Sequence, residues 1–271
     1  MSHAEDQAGQ AYWDSVWEEA DLPAPIDHTD RHYRNHVNRA LAAYMDRSLR
    51  HLPRGARLLE IGCGRSQWLP YFARRYGFEV SGLDYSRPGC DAEEEILRRA
   101  GVSGEVVQAD LFDPPDRLEE EFDVVVSLGV VEHFDDTAGC MEAIARFARP
   151  GGTVLTTIPN LTGLLGRLQR WVDPEVSAIH VPLTAEQLEE AHRRAGLVVE
   201  PARYLVSSNF GVLNLHRRAD DARSRRIGFG LLQLTRLSKL IWVIEDRTRE
   251  LPAGRALGGY AACTARRPSP A

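Results

Sequence analysis

The densest chemistry in this sequence sits in Leu58-Leu59-Glu60-Ile61-Gly62-Cys63-Gly64-Arg65-Ser66. An apolar strand there runs straight into two glycines and then into a helix. The glycines let the backbone turn tightly and approach a ligand closely, and the free N–H groups at the helix start favour a carboxylate or phosphate. A dinucleotide would call for a third glycine three residues after Gly64, where Gln67 stands. Glu60 would also set negative charge beside pyrophosphate oxygens, and it suits instead a ligand with a cationic centre or a free amine. Asp84 closes Val80-Ser81-Gly82-Leu83-Asp84, about 20 residues past the glycines, where a carboxylate can accept both hydroxyls of a ribose. Asp110 closes Val106-Val107-Gln108-Ala109-Asp110 and can accept an exocyclic amine of adenine.

The elements that must position these groups are strands. Short apolar runs at Arg57–Ile61, Glu79–Leu83, Glu105–Ala109, Val124–Leu128 and Thr153–Ile158 alternate with helical stretches. The helices fall at about Gln67–Tyr76, Ala92–Ala100, Asp116–Glu120, Asp136–Ala148 and Ala185–Ala195, the last opened by a Thr184/Gln187 capping box. Alternation of this kind predicts a parallel sheet covered on both faces and wound right-handed, with ligands outside the carboxyl ends of its strands. Further strands are expected at Val198–Val206 and Gly259–Ala265, forming a hairpin with a long insertion (about residues 209–256) between them. Ahead of the sheet, Tyr12, Trp13, Val16, Trp17 and Ala20 sit at helical spacing, and a second helix is expected from His32 to Leu49. Residues 1–52 thus read as a helical cap and 53–271 as the α/β domain.

The segments LLEIGCGRS, GLDYS, QADLF, FDVVVSLGVVEHF and RPGGTVLTTIPN, in this order and spacing, resemble the class I S-adenosylmethionine-dependent methyltransferases over roughly Arg57 to Leu197. The nearest flavour is the group with the ubiquinone-type and natural-product O-, N- and C-methyltransferases. The resemblance implies a seven-stranded Rossmann-like sheet with S-adenosylmethionine as cofactor. It implies that Glu60, Gly62 and Gly64 line the methionine end, that Asp84 and Tyr85 hold the ribose, and that Asp110 and Leu111 bracket the adenine. It puts Leu128 and Gly129 beside the cofactor. Ser66 stands where the family often has a third glycine, a small departure.

Methyl transfer from a sulfonium is an in-line displacement, so the protein must align and desolvate the acceptor and remove a proton. His133, in the Val131-Glu132-His133-Phe134 loop, and His180, ahead of the capped helix, are the candidate bases. Asn160 and Asn209, at the ends of the fifth and sixth strands, can hydrogen-bond an acceptor, although either residue type is as common in turns. Tyr12, Trp13 and Trp17 can form a lid over the cofactor or simply pack on the sheet. Between Arg217 and Arg249 nine basic and four acidic residues give a local net of +5 on an apolar arm. Its uses, in order of preference, are covering the acceptor pocket, a homodimer contact, or meeting a lipid surface.

Composition bounds the rest. Hydrophobic residues make up 43% and charged residues 27% of the 271, with a net charge of −6. That is an ordinary globular mix with no general attraction to nucleic acid. Cys63, Cys90, Cys140 and Cys263 lie far apart in sequence, so neither a zinc site nor a disulfide framework is expected. The polar N-terminus has no secretory pattern, and no apolar run reaches the ~18 residues of a membrane span, so a cytoplasmic enzyme acting on a small molecule is expected. Two other readings stay open: a cofactor-binding enzyme that catalyses a non-methylating reaction, and a methyltransferase acting on tRNA or protein.

Overall fold

The computed structural model of the chain describes residues 6–18, 21–213 and 222–270. Ala20 of the first helix and Arg217 and Arg218 of the basic arm lie outside the described residues.

Strand β1 (Arg57–Ile61) is buried along nearly its whole length, as expected for a strand covered on both faces. It pairs in parallel with β2 (Glu79–Asp84) on one side and β4 (Phe122–Leu128) on the other, with Glu60 in register with Gly82 and Val126. β3 (Gly104–Gln108) extends the sheet beyond β2, and β5 (Ala148–Pro159) extends it beyond β4. β8 (Tyr260–Arg266) is antiparallel to β5 and also pairs with β6 (Val198–Val199) and β7 (Arg203–Leu205), giving the order β3-β2-β1-β4-β5-β8-β6 with β7 also beside β8. The crossover helices are α3 (Trp68–Tyr76), α4 (Arg87–Ala100), α5 (Thr137–Ala145) and α8 (Ala185–Arg194). α4 begins five residues ahead of the expected start, because the Ser86 hydroxyl caps it by accepting from the Gly89 N–H and Pro88 sits in its first turn, a favoured position for proline. The capping box at Thr184 and Gln187 is formed in full.

Alternation along the strands divides the core in two. Leu59, Ile61 and Val125 face α5 and α8 with Ile144 and Leu188. Leu58, Val124 and Val126 face the other way, onto Phe72 of α3 and onto Met45 and Leu49 of α2 (His36–Leu49). Each such fully buried side chain contributes about 1.5–3 kcal/mol. α2 therefore belongs to a packed layer. Its Tyr44 hydroxyl also hydrogen-bonds Thr264 of β8 at 2.8 Å. The shorter α1 (Gln10–Glu18) lies instead against α4.

Three expectations change. The single strand over Val198–Val206 is two pieces, β6 (Val198–Val199) and β7 (Arg203–Leu205), each paired with β8. Pro201 lies between them and has no N–H to continue the ladder, so the sheet has eight strand segments where seven were expected. Residues 160–183, for which the sequence suggested no element, contain α6 (Leu164–Val172) and α7 (Pro174–Ala178), the latter capped by Asp173. Finally, the insertion between β7 and β8 forms α9 (Ala222–Glu245). Within Arg225–Glu245 an 18-residue window reaches a mean hydropathy of 1.4, which makes the helix long and apolar enough to cross a bilayer by length and composition alone. Gln233, Arg236 and Lys239 break the continuous apolar run, which is why no span was expected, but so few polar positions do not cancel the surrounding leucines and isoleucines.

Candidate cofactor and acceptor site

At the carboxyl end of β1 the chain turns on Gly62, whose φ is +69°. A β-carbon there would fall 2.5 Å from a methyl of Val130, so the position requires glycine. The Gly64 N–H donates to one oxygen of Asp84 at 2.8 Å, and the Ser86 N–H donates to the other at 2.8 Å. Asp84 thus ties the glycine turn to the end of β2, and its two oxygens, with two lone pairs each, retain acceptor capacity beyond these bonds. Burial pushes its carboxyl above the usual range, while the amide bonds oppose that shift.

Glu60 is 2% exposed. Its two oxygens share the Ser66 hydroxyl, at 2.8 Å from each. Burial pushes its pKa up to about 8, with Ser66 opposing and the like charge of Asp84 adding to the rise. A buried carboxyl raised in this way is one that a positively charged ligand would ionise. The amine and sulfonium of S-adenosylmethionine have that property, so the residues present fit this cofactor.

Two adjoining cavities meet at the turn. One is lined by Asp84, Tyr85, Leu111, Val130, His133 and Phe134. The other is lined by Glu60, Gly64, Ser66, Trp68 and Leu128. Both share Trp13, Trp17, Gly62 and Gly129. Asp110 stands at the edge, exposed, with one oxygen accepting the Phe112 N–H at 2.8 Å. Leu111 beside it turns inward.

α1 closes over both cavities. The Trp17 indole nitrogen lies 2.8 Å from where a β-carbon on Gly64 would be, and its ring also approaches Gly89. Trp13 stacks on Trp17 at 5.7 Å and meets His133 edge-on at 4.9 Å. Tyr12 packs edge-on against Trp13 and does not line either cavity. The segment is clipped down by polar contacts that no sequence pattern signals. The Gln7 N–H donates to the His133 carbonyl, the Tyr85 hydroxyl donates to Asp6, and the Ser86 hydroxyl donates to Asp14. Isolated acids in a polar N-terminus carry no periodic signal.

His133 and His180 are brought together, with ring centroids 4.5 Å apart. His133 Nδ1 is 2.8 Å from the Ile179 carbonyl, and His180 Nδ1 is 2.6 Å from the Val176 carbonyl. A carbonyl only accepts, so both rings carry their proton on Nδ1 and present Nε2 as a lone pair. Burial and the neighbouring His180 lower the His133 pKa to about 4, while burial lowers that of His180. Glu132 is buried beside them, pushed up to about 8 by the same desolvation.

The two asparagines lie apart from this cluster. Asn160 is fully buried, and its amide donates to the carbonyls of Arg255 and Gly258. Its oxygen accepts from the N–H and hydroxyl of Thr162, so all its hydrogen-bonding capacity is spent within the chain. Asn209 accepts from the Gly211 N–H at the start of a short 3₁₀ turn. Both hold the β7–β8 connection in shape.

A family model described as a methyltransferase domain matches residues 32–202, more than half of the chain. The ubiquinone biosynthesis O-methyltransferase of Alkalilimnicola ehrlichii is 33% identical over 106 residues, covering 39% of this chain and 42% of that protein. The enzyme of the same name from Klebsiella pneumoniae is 27% identical over 127 residues, covering 47% and 50%. The match therefore spans half or less of these curated relatives. Among solved structures, the [4+2]-cyclase SpnF superposes with a TM-score of 0.60 at 19% identity, covering 100% of this chain and 98% of that one. A Haemonchus contortus phosphoethanolamine N-methyltransferase in complex with S-adenosyl-L-methionine gives 0.59 at 21% identity, covering 99% and 60%. At these identities the structural likeness speaks for the fold.

Proposed function

This chain belongs to the methyltransferase-domain family of class I fold, and on that premise we propose that it transfers the methyl group of S-adenosylmethionine to a small-molecule acceptor. The observation that carries the reading is the pair of buried carboxylates, Glu60 and Asp84, at neighbouring strand ends on either side of the glycine turn. When bound, the cofactor supplies a methyl group already activated on sulfur. Glu60 would face its amine and sulfonium, the remaining acceptor capacity of Asp84 would take the ribose hydroxyls, and Leu111 with Phe134 would flank the adenine. His133, which burial keeps neutral near pH 7, would accept the acceptor's proton at Nε2, with His180 beside it. Trp13 and Trp17 would keep water out of the cleft, which strengthens the electrostatic contacts within it.

Calorimetric titration with S-adenosylmethionine tests the reading. The wild type should bind, and Asp84→Ala should weaken binding on the order of 100-fold, because hydrogen bonds to a charged group contribute about 1.5–3 kcal/mol each. A folded wild type that does not bind, or a variant that binds equally well, would reject it. Product analysis with candidate phenols and amines then follows methyl transfer directly.

A further inference from the structure

α9 is the longest helix among the described residues, and only one of its faces is used by the fold. Near its C-terminal end the Ser238 hydroxyl accepts the Phe210 N–H at 3.0 Å, and the Trp242 indole donates to the Ser208 carbonyl at 2.8 Å. The Trp242 ring stacks on His36 at 5.5 Å. Glu245 lies 3.3 Å from His36, and Asp246 pairs with Arg39 at 2.6 Å. These contacts fix the helix along the body of the protein. The opposite face carries Phe229 (66% exposed), Leu232, Leu237, Leu240 (57%) and Ile244. Trp171 of α6, 63% exposed, stands on the rim of the apolar groove between α6 and α9. So many large exposed apolar side chains on one helix and beside its groove are the kind of feature that marks a binding face.

Charge selects what it binds. Residues 222–244 carry Arg223, Arg225, Arg226, Arg236 and Lys239 and no acid, in a chain whose net charge is −6. Of the acids that flank this stretch in sequence, Asp220 and Asp221 precede it, Glu245 is buried 3.3 Å from His36 and accepts the Leu251 N–H, and Asp246 pairs with Arg39. We propose that the α9–α6 face docks on an anionic lipid bilayer. The helix lies in the interfacial plane, with Phe229, Leu240, Ile244 and Trp171 at the headgroup–acyl boundary and Arg226, Arg236 and Lys239 against lipid phosphates. A spanning arrangement would require the Trp242, Glu245 and Asp246 contacts with the body to break. A second copy of the chain laid on this face would set cations against cations with no free acid on the helix to answer them.

Vesicle flotation of the intact protein tests the proposal, using phosphatidylcholine vesicles with and without phosphatidylglycerol. The protein should float with the anionic vesicles only, and less as salt is raised. Each basic residue near the surface contributes about a fivefold factor in partitioning, so the triple variant Arg226→Gln, Arg236→Gln, Lys239→Gln should bind on the order of 100-fold more weakly. Phe229→Ser with Leu240→Ser should abolish flotation while leaving the melting temperature and cofactor titration unchanged, since both side chains are exposed. Absence of flotation, or flotation that is indifferent to phosphatidylglycerol and to these substitutions, would overturn the proposal. So would a sedimenting dimer that the serine pair converts to monomer without any vesicle binding, which would assign the face to a second copy instead.

Discussion

Cofactor binding should expel a proton from Glu60. With its pKa pushed up to about 8, this carboxyl is about 0.9 protonated at pH 7 and about 0.5 at pH 8. A cationic ligand held against it returns it toward the ordinary carboxylate range, so binding releases about 0.9, 0.5 and 0.1 proton at pH 7, 8 and 9. By linkage, the Glu60 proton alone tightens affinity about ninefold from pH 6 to 7, about fivefold from 7 to 8, and less than about twofold from 8 to 9. Calorimetry with S-adenosylmethionine in phosphate and in Tris reads the proton directly, because the two buffers differ in ionisation heat. The cofactor's own amine also titrates near ~8, so the comparison is with Glu60→Gln, which keeps the shape but has no proton to give. The wild type should show the buffer-dependent heat and the variant should lose it. Identical heats in the two buffers for the wild type, or equal proton release from both proteins, would refute the reasoning.

Two further outcomes follow from the buried groups. His133, lowered to about 4, should give kcat no acid limb near the usual histidine value. His133→Ala should lower kcat by about 10² to 10⁴ if Nε2 takes the proton, with the cofactor KM little changed; an unaltered kcat would leave the ring a shaping role only. Glu93 of α4 is fully buried and pushed up to about 10, first by desolvation and then by Glu60. Its folded-state pKa lies above the unfolded one, so its contribution is whole in acid and is lost as pH rises toward about 10, at up to about 1.4 kcal/mol per pH unit. From pH 6 to 9 the wild-type melting temperature should therefore fall relative to Glu93→Gln, and parallel curves would reject the assignment.

The strand–helix alternation was legible because period and punctuation agreed. Arg57–Ile61 appears with the bounds the sequence implied, and the capping box at Thr184 is complete. What the sequence concealed depends on tertiary contact. Pro201 interrupts a run that reads as one apolar strand. Asn160 sits where an acceptor ligand was expected, yet its amide is consumed by carbonyls almost a hundred residues away, which no local pattern encodes. Glu60 and Asp84 were visible as acids at strand ends, but their opposing surroundings, one sharing a hydroxyl and the other held by two amides, come only from how β1, β2 and α4 meet. The exposed face of α9 was hidden for the opposite reason: its leucines are spread around the whole helix, so no stripe separated a packed side from an open one.

α1 spans the boundary between the two cavities, with Trp13 against His133 and Trp17 against the glycine turn. One rigid helix thus reads both halves of the cleft. A substitution in this one helix is therefore expected to alter the walls of both cavities together.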